Sequence, residues 1–257
     1  MTSGLPCARD CARTSAPETT TATLNATLII NAPMRGSPKI VSAMLVGLVC
    51  ATVSGASDPD VQRALDAARV QARAGDVIAQ FSLGELLYYG AEDMAQALDW
   101  IRKAAAQQYA PAELHLGQVY EFGFGVPRSD RDALTWYRRA ADHGNPAAER
   151  AVGDFYKKGR GVAVDAAEAA RWYRRAADGD DLRAQYQLGQ LYFDGTGVPR
   201  DYGSAYVWFT LAAHQTPLED NRKGLIELRN IAAARMTPAS VAAARLRVAN
   251  WKPSPVR

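Results

Sequence analysis

Cysteine is almost missing from this chain. Of 257 residues only Cys7, Cys11 and Cys50 are cysteines, and all three lie in the first fifty positions. The rest of the chain therefore holds no disulfide, no thiolate metal ligand and no cysteine nucleophile. Redox compartment stays open, because a cysteine-free body works inside or outside the cytosol. Histidine is nearly as scarce, with His115, His143 and His214. No H-E-x-x-H, no C-x-x-C and no histidine pair at metal-ligand spacing occurs, so no metal is expected. Excess charge of one sign is missing too. Residues 1–56 carry four of the Lys/Arg and two of the Asp/Glu, which leaves 26 basic against 25 acidic residues beyond them. A body so close to neutral argues against nucleic acid or an anionic membrane as partner, since both demand a net basic surface.

Long apolar runs are absent with one exception. Met34 is followed by Arg35 and Lys39, then by the uncharged run Ile40–Val53, then by Ser54-Gly55-Ala56. A basic start, a 14-residue apolar stretch and a small-x-small ending make the pattern of a secretory signal peptide. The stretch falls short of the ~20 apolar residues that span a bilayer. The reading is a signal peptide over 34–56, cleaved after Ala56, with Met34 as the start and 1–33 as a Thr/Ala-rich extension. Export to the periplasm or beyond follows. The alternative is an uncleaved anchor in the inner membrane, the one case in which the protein meets a membrane.

What is present is periodic. Trp100, Trp136, Trp172 and Trp208 are spaced by 36 residues each time, and the heptapeptide WYRRAAD occurs at both Trp136 and Trp172. Each of the four tryptophans has an Ala three before it and an Ala pair four and five after it, as in Ala205, Ala212 and Ala213. Upstream stand Gly84, Gly117, Gly153 and Gly189, each with an Ala five earlier and a second Gly six later. Around Gly189 the residues Ala184, Leu188, Leu191 and Tyr192 fall at i, i+4, i+7, i+8, one face of a helix. Each unit thus reads as helix A, a glycine turn such as "GTGVPRD", and helix B. Ser129, Asp165 and Asp201 stand where helix B needs an N-cap. A glycine in mid-helix costs about 1 kcal/mol against Ala, and its recurrence implies that a partner helix comes close there. The first unit is three residues shorter in its turn.

Asp58–Asp76 reads as one further helix before the units, and Pro217–Met236 and Thr237–Trp251 as two after them. Such end helices cover the exposed faces of a stack. The expected fold is all-α: a capping helix over 57–76, four helix-turn-helix repeats over 77–216, and capping helices over 217–257.

The recurring pattern A-x-x-x-L-G-x-L-Y-x-x-G-x-G-V-x-x-D-x-x-x-A-x-x-W-Y-x-x-A-A resembles the Sel-1-like repeat family, relatives of the tetratricopeptide repeat. "AQYQLGQLYFDGTGVPRDYGSAYVWFTLAA" (Ala184–Ala213) carries it most fully, and "MTPASVAAARLRVANWKP" resembles the helix that closes bacterial members. The likeness covers Ala79–Trp251. It implies a right-handed α-solenoid that holds other proteins together, with a protein or peptide as partner; no cofactor and a monomeric working state are expected.

Chemistry has little foothold. The G-x-G turns lack the third glycine of a dinucleotide fingerprint and follow no strand. Some relatives in the family have been called β-lactamases, but neither S-x-x-K nor K-T-G occurs. His115 on helix A, and His143 and His214 at the ends of helix B, are assigned surface or capping roles. Arg138-Arg139 and Arg174-Arg175 are read as an outer flank rather than a nucleic-acid stripe. By the resemblance, helix A lines the concave face, with positions −3, +1, +4 and +5 from its glycine pointing into the groove. These are Phe81, Glu85, Tyr88 and Tyr89; Leu114, Gln118, Glu121 and Phe122; Arg150, Asp154, Lys157 and Lys158; and Tyr186, Gln190, Phe193 and Asp194. Aromatics toward the ends and cations in the middle suit a peptide: rigid anchors with steering charge. Phe81, Leu114 and Tyr186 equally suit packing between repeats.

Overall fold

The computed structural model describes residues 59–90 and 93–254. The segments assigned to the extension and the signal peptide lie outside these residues. Eleven helices are described: α1 (Pro59–Arg73), α2 (Val77–Gly90), α3 (Met94–Ala106), α4 (Ala110–Phe122), α5 (Asp130–Asp142), α6 (Pro146–Lys158), α7 (Ala166–Asp178), α8 (Leu182–Asp194), α9 (Tyr202–Gln215), α10 (Glu219–Ala233) and α11 (Pro238–Asn250). Among the described residues there is no strand. The pairs α2/α3, α4/α5, α6/α7 and α8/α9 are the four A/B units, and each B helix packs on the next A helix. The result is a right-handed α-solenoid closed by α1 at one end and by α10 and α11 at the other.

Local chemistry sets the helix ends. Asp93, Ser129 and Asp165 accept hydrogen bonds from the backbone N–H three residues on, and Asp201 accepts from Gly203 N–H. Helices α4, α6 and α8 end on Gly123, Gly159 and Gly195 in the left-handed conformation, with φ of 76°, 68° and 74°. The B-to-A turns share one left-handed residue, at Gln108, Gly144 and Asp180. Thr237 caps α11 and Pro238 occupies its first turn.

The mid-helix glycine has a structural cause. A Cβ at Gly153 would lie 2.8 Å from the Tyr173 ring, and one at Gly189 would lie 2.7 Å from Phe209. At Gly117 the same Cβ would run into the Tyr137 ring. The residue after each tryptophan, rather than the tryptophan itself, therefore seals the A/B contact. Ile101, Tyr137, Tyr173 and Phe209 are each at most 2% exposed. The second glycine of the turn in the last three units lets the loop rest on the preceding unit: a Cβ at Gly161 would meet the backbone of Asp130 at 2.8 Å.

A polar ladder runs through this core. Four residues before each helix-A glycine stands Gln80, Glu113, Glu149 or Gln185, all at most 6% exposed. Seven residues after the tryptophan stands its partner. Gln107 donates to Gln80 at 2.9 Å, His143 Nδ1 lies 2.7 Å from Glu113, and Gln215 donates to Gln185 at 3.3 Å. In the third unit that position is Gly179, and Arg175 reaches Glu149 instead at 2.9 Å. His143, assigned to a helix end from the sequence, does cap α5 and also serves as a rung of this ladder. His115 departs from its surface or capping assignment. It is 5% exposed, because the Phe81 and Tyr88 rings close over it at centroid distances of 6.1 and 4.8 Å.

Candidate protein-docking face

The helix-A positions divide into three groups. At the first end, Phe81, Glu85, Tyr88 and Tyr89 converge on His115. Glu85 lies 3.7 Å from His115 Nδ1, Tyr88 packs edge-on to Tyr89 at 5.3 Å, and Phe81 packs edge-on to Tyr109 at 5.5 Å. Burial raises the hydroxyl pKa of Tyr88, Tyr89 and Tyr109, and the negative charge of Glu85 adds to the rise for the last two. Tyr89 remains 61% exposed at the edge of this cluster.

The second group is bound into the scaffold. Glu121 accepts from Tyr137 Oη at 2.5 Å and from Arg160 at 2.5 Å, while Arg160 also grips Asp130. Arg150 pairs with Asp154 at 3.4 Å and with Asp181 at 3.2 Å, and Asp154 accepts from Tyr173 Oη at 2.7 Å. Burial pushes the Tyr137 and Tyr173 hydroxyls far up, and the facing carboxylates push them further. Leu114 and Tyr186 are half-buried against the core, and Gln190 donates to Tyr186 Oη at 2.6 Å. Phe193 is half-buried too. It packs on Tyr202 at 5.4 Å, with the Arg235 guanidinium 5.1 Å from its ring. The final cap thus covers it.

The third group is open. Phe122 is 59% exposed, and beside it at 5.8 Å lies Phe124, 55% exposed. Lys157 and Lys158 are exposed; Lys157 donates to Gln187 at 2.8 Å, and neither has an ion-pair partner among the described residues. Gln118 and Asp194 are exposed as well. Phe124 is not among the sequence candidates, since it belongs to a turn and the helix-A register passes over it. Its signal is an aromatic where the sibling turns carry Arg160 and Thr196.

The basic pairs on helix B are occupied. Arg138 donates to Tyr156 Oη and Arg174 to Tyr192 Oη, each on the next A helix. Arg139 and Arg175 lie over their own tryptophans, 4.7 Å from the Trp136 ring and 4.5 Å from the Trp172 ring. The doubled arginine of WYRRAAD thus tethers one repeat to the next and covers a half-exposed indole.

Comparison with known proteins agrees with the repeat architecture. The Sel1 repeat family matches at residues 77–109, 110–145, 146–181 and 182–216. The chain belongs to the Sel1-repeat family. Among solved structures, it is similar to a protective antigen of uropathogenic Escherichia coli strains that displays an SLR fold, at 30% identity and a TM-score of 0.65. That likeness covers 89% of this chain and 48% of the antigen, so the chain spans about half the antigen's length. A Sel1 repeat protein from Oxalobacter formigenes is 28% identical with a TM-score of 0.64, over 88% of this chain and 93% of that one. No curated protein matches the chain significantly. Sel1-repeat proteins generally act as protein-interaction scaffolds and are typically non-catalytic. Among the described residues no helix is long and apolar enough to cross a membrane.

Proposed function

We propose that this Sel1-repeat protein is a non-enzymatic adaptor, exported to the cell envelope, that holds a protein or peptide partner along its A helices. One observation carries the reading. Large aromatics stay open at Tyr89, Phe122 and Phe124 while the unpaired cations Lys157 and Lys158 stand on the following A helix. Every other charged helix-A candidate from Glu85 to Asp154 already has a partner within the scaffold. Rigid aromatic anchors beside free positive charge suit a partner segment that presents apolar and acidic residues. Export rests on the pattern over 34–56, and it accords with the antigenic role of the uropathogenic relative.

The test compares partners captured from envelope extract by wild type, Phe122→Ser/Phe124→Ser and Lys157→Glu/Lys158→Glu. All four side chains are exposed, so the variants should melt within about 0.5 kcal/mol of wild type. Both variants should lose the same captured protein. Capture unchanged in both rejects the docking face. Intact mass of the native protein addresses export, with a mature N-terminus at Ser57 as the expected result. A retained segment 34–56 favours a membrane-tethered spacer.

A further inference from the structure

A second feature lies away from helix A, where the last cap meets the B helices. Between α7, α9 and α11 is a crevice of about 430 Å³. Val207, Trp208, Leu246 and Trp251 form its apolar walls. Arg174, Arg247, Asn250 and Asp178 supply its polar groups. The two guanidiniums are held in place from behind. Arg174 donates to Tyr192 Oη at 2.5 Å and lies 5.2 Å from the Trp208 ring, and Arg247 donates to Ser204 Oγ at 3.3 Å. Each contact engages one of the five donors a guanidinium carries, so both retain N–H groups for a ligand. Trp208 is 3% exposed. Among the described residues, its indole N–H is the one buried side-chain donor without an acceptor. Leaving such a donor unmatched costs about 1–3 kcal/mol. Burial raises the Asp178 carboxyl pKa, with the positive charge of Arg174 acting in the opposite sense.

We propose that this crevice binds a small carboxylate carried on a ring- or short-chain-sized apolar body. The carboxylate meets Arg174 and Arg247, and the apolar body lies against Trp208, Trp251 and Leu246. Two cations against one carboxyl leave the site net positive, and planar guanidiniums match a carboxylate better than a single-point anion. The volume falls within the range of pockets for small organic ligands. The crevice shares no residue with the docking face, so either can fail without the other.

The five indole N–H groups of the full chain give a direct readout by ¹⁵N–¹H NMR. Phenylacetate and hexanoate serve as probes, with phenylacetamide and hexanamide as neutral controls. Each acid should move the Trp208 and Trp251 signals to a plateau and leave those of Trp100, Trp136 and Trp172 in place. The amides should bind at least about tenfold more weakly, as expected once the charge-assisted bonds are gone. Arg247→Gln, on an exposed position, should weaken both acids while leaving the melting temperature unchanged. Arg247→Lys should restore part of the affinity. The proposal is overturned if neither acid gives a saturating shift, if acid and amide behave alike, or if all five indoles respond together.

Discussion

Tyr173 and Gly153 show how one contact decides the sign of a mutation. Gly→Ala inside a helix ordinarily gains about 1 kcal/mol. At Gly153 the new methyl would sit 2.8 Å from the Tyr173 ring, which is itself buried and hydrogen-bonded to Asp154 and so cannot retreat. Overpacking a rigid site costs about 1–3 kcal/mol and wins. Gly153→Ala should therefore lower stability, by up to roughly 2 kcal/mol in urea unfolding once the helical gain is subtracted. At Gly224, inside α10, a methyl would meet nothing within 4 Å, so Gly224→Ala should raise stability by about 0.5–1 kcal/mol. Equal signs would refute the packing account. Gln108 offers the reverse exchange. It holds a φ of 62° in the turn where Gly144 stands one repeat later. Gln108→Gly should stabilise by about 0.5–1 kcal/mol, because glycine enters this region without the Cβ clash.

Between elements, Arg160 ties two helices of the preceding unit at once. From the turn after α6 it reaches back to Glu121 on α4 and Asp130 on α5. The Arg160 hydrogen bond and charge hold the Asp130 carboxyl below its ordinary value, against a smaller desolvation effect. A carboxyl whose folded pKa is depressed contributes stability above its unfolded pKa and loses it as the pH falls through the folded one. The contribution is thus complete at neutral pH and fades from about pH 4 downward. Arg160→Ala should lower stability at neutral pH and flatten this acid-side decline. A decline of unchanged slope in denaturant titrations across that range would show that Asp130 does not carry it.

At the scale of the molecule, a solenoid is a chain of neighbour contacts with two ends to protect. Helix α9 is the last B helix, and Ser204 through Ala213 are all buried in it. It packs on both α10 and α11, which stand where a fifth repeat would otherwise continue. Deleting residues 235–257 removes α11 and uncovers Val207 and Trp208, which line the crevice against it. The truncated chain should self-associate on size-exclusion chromatography and melt earlier than the full chain. A monomer with unchanged melting would show that α10 alone suffices as cap.

The sequence by itself determined the repeat. Tryptophan spacing, alanine pairs and capping residues are local or periodic, and a helical period of 3.6 turns them into faces without knowledge of the partner helix. The fold was legible for that reason, and so was the near approach at the helix-A glycines. The docking candidates were only half legible. Position along helix A marks Glu121, Arg150 and Asp154 no differently from Lys157 and Lys158, yet the first three are bound to Arg160, Asp181 and Tyr173 from other elements. Those ties span 19 to 39 residues, beyond the reach of any single helical face. The Trp208 crevice was out of view for the same reason. It exists because α11 folds back on α9, a contact decided by how the array ends rather than by how it repeats.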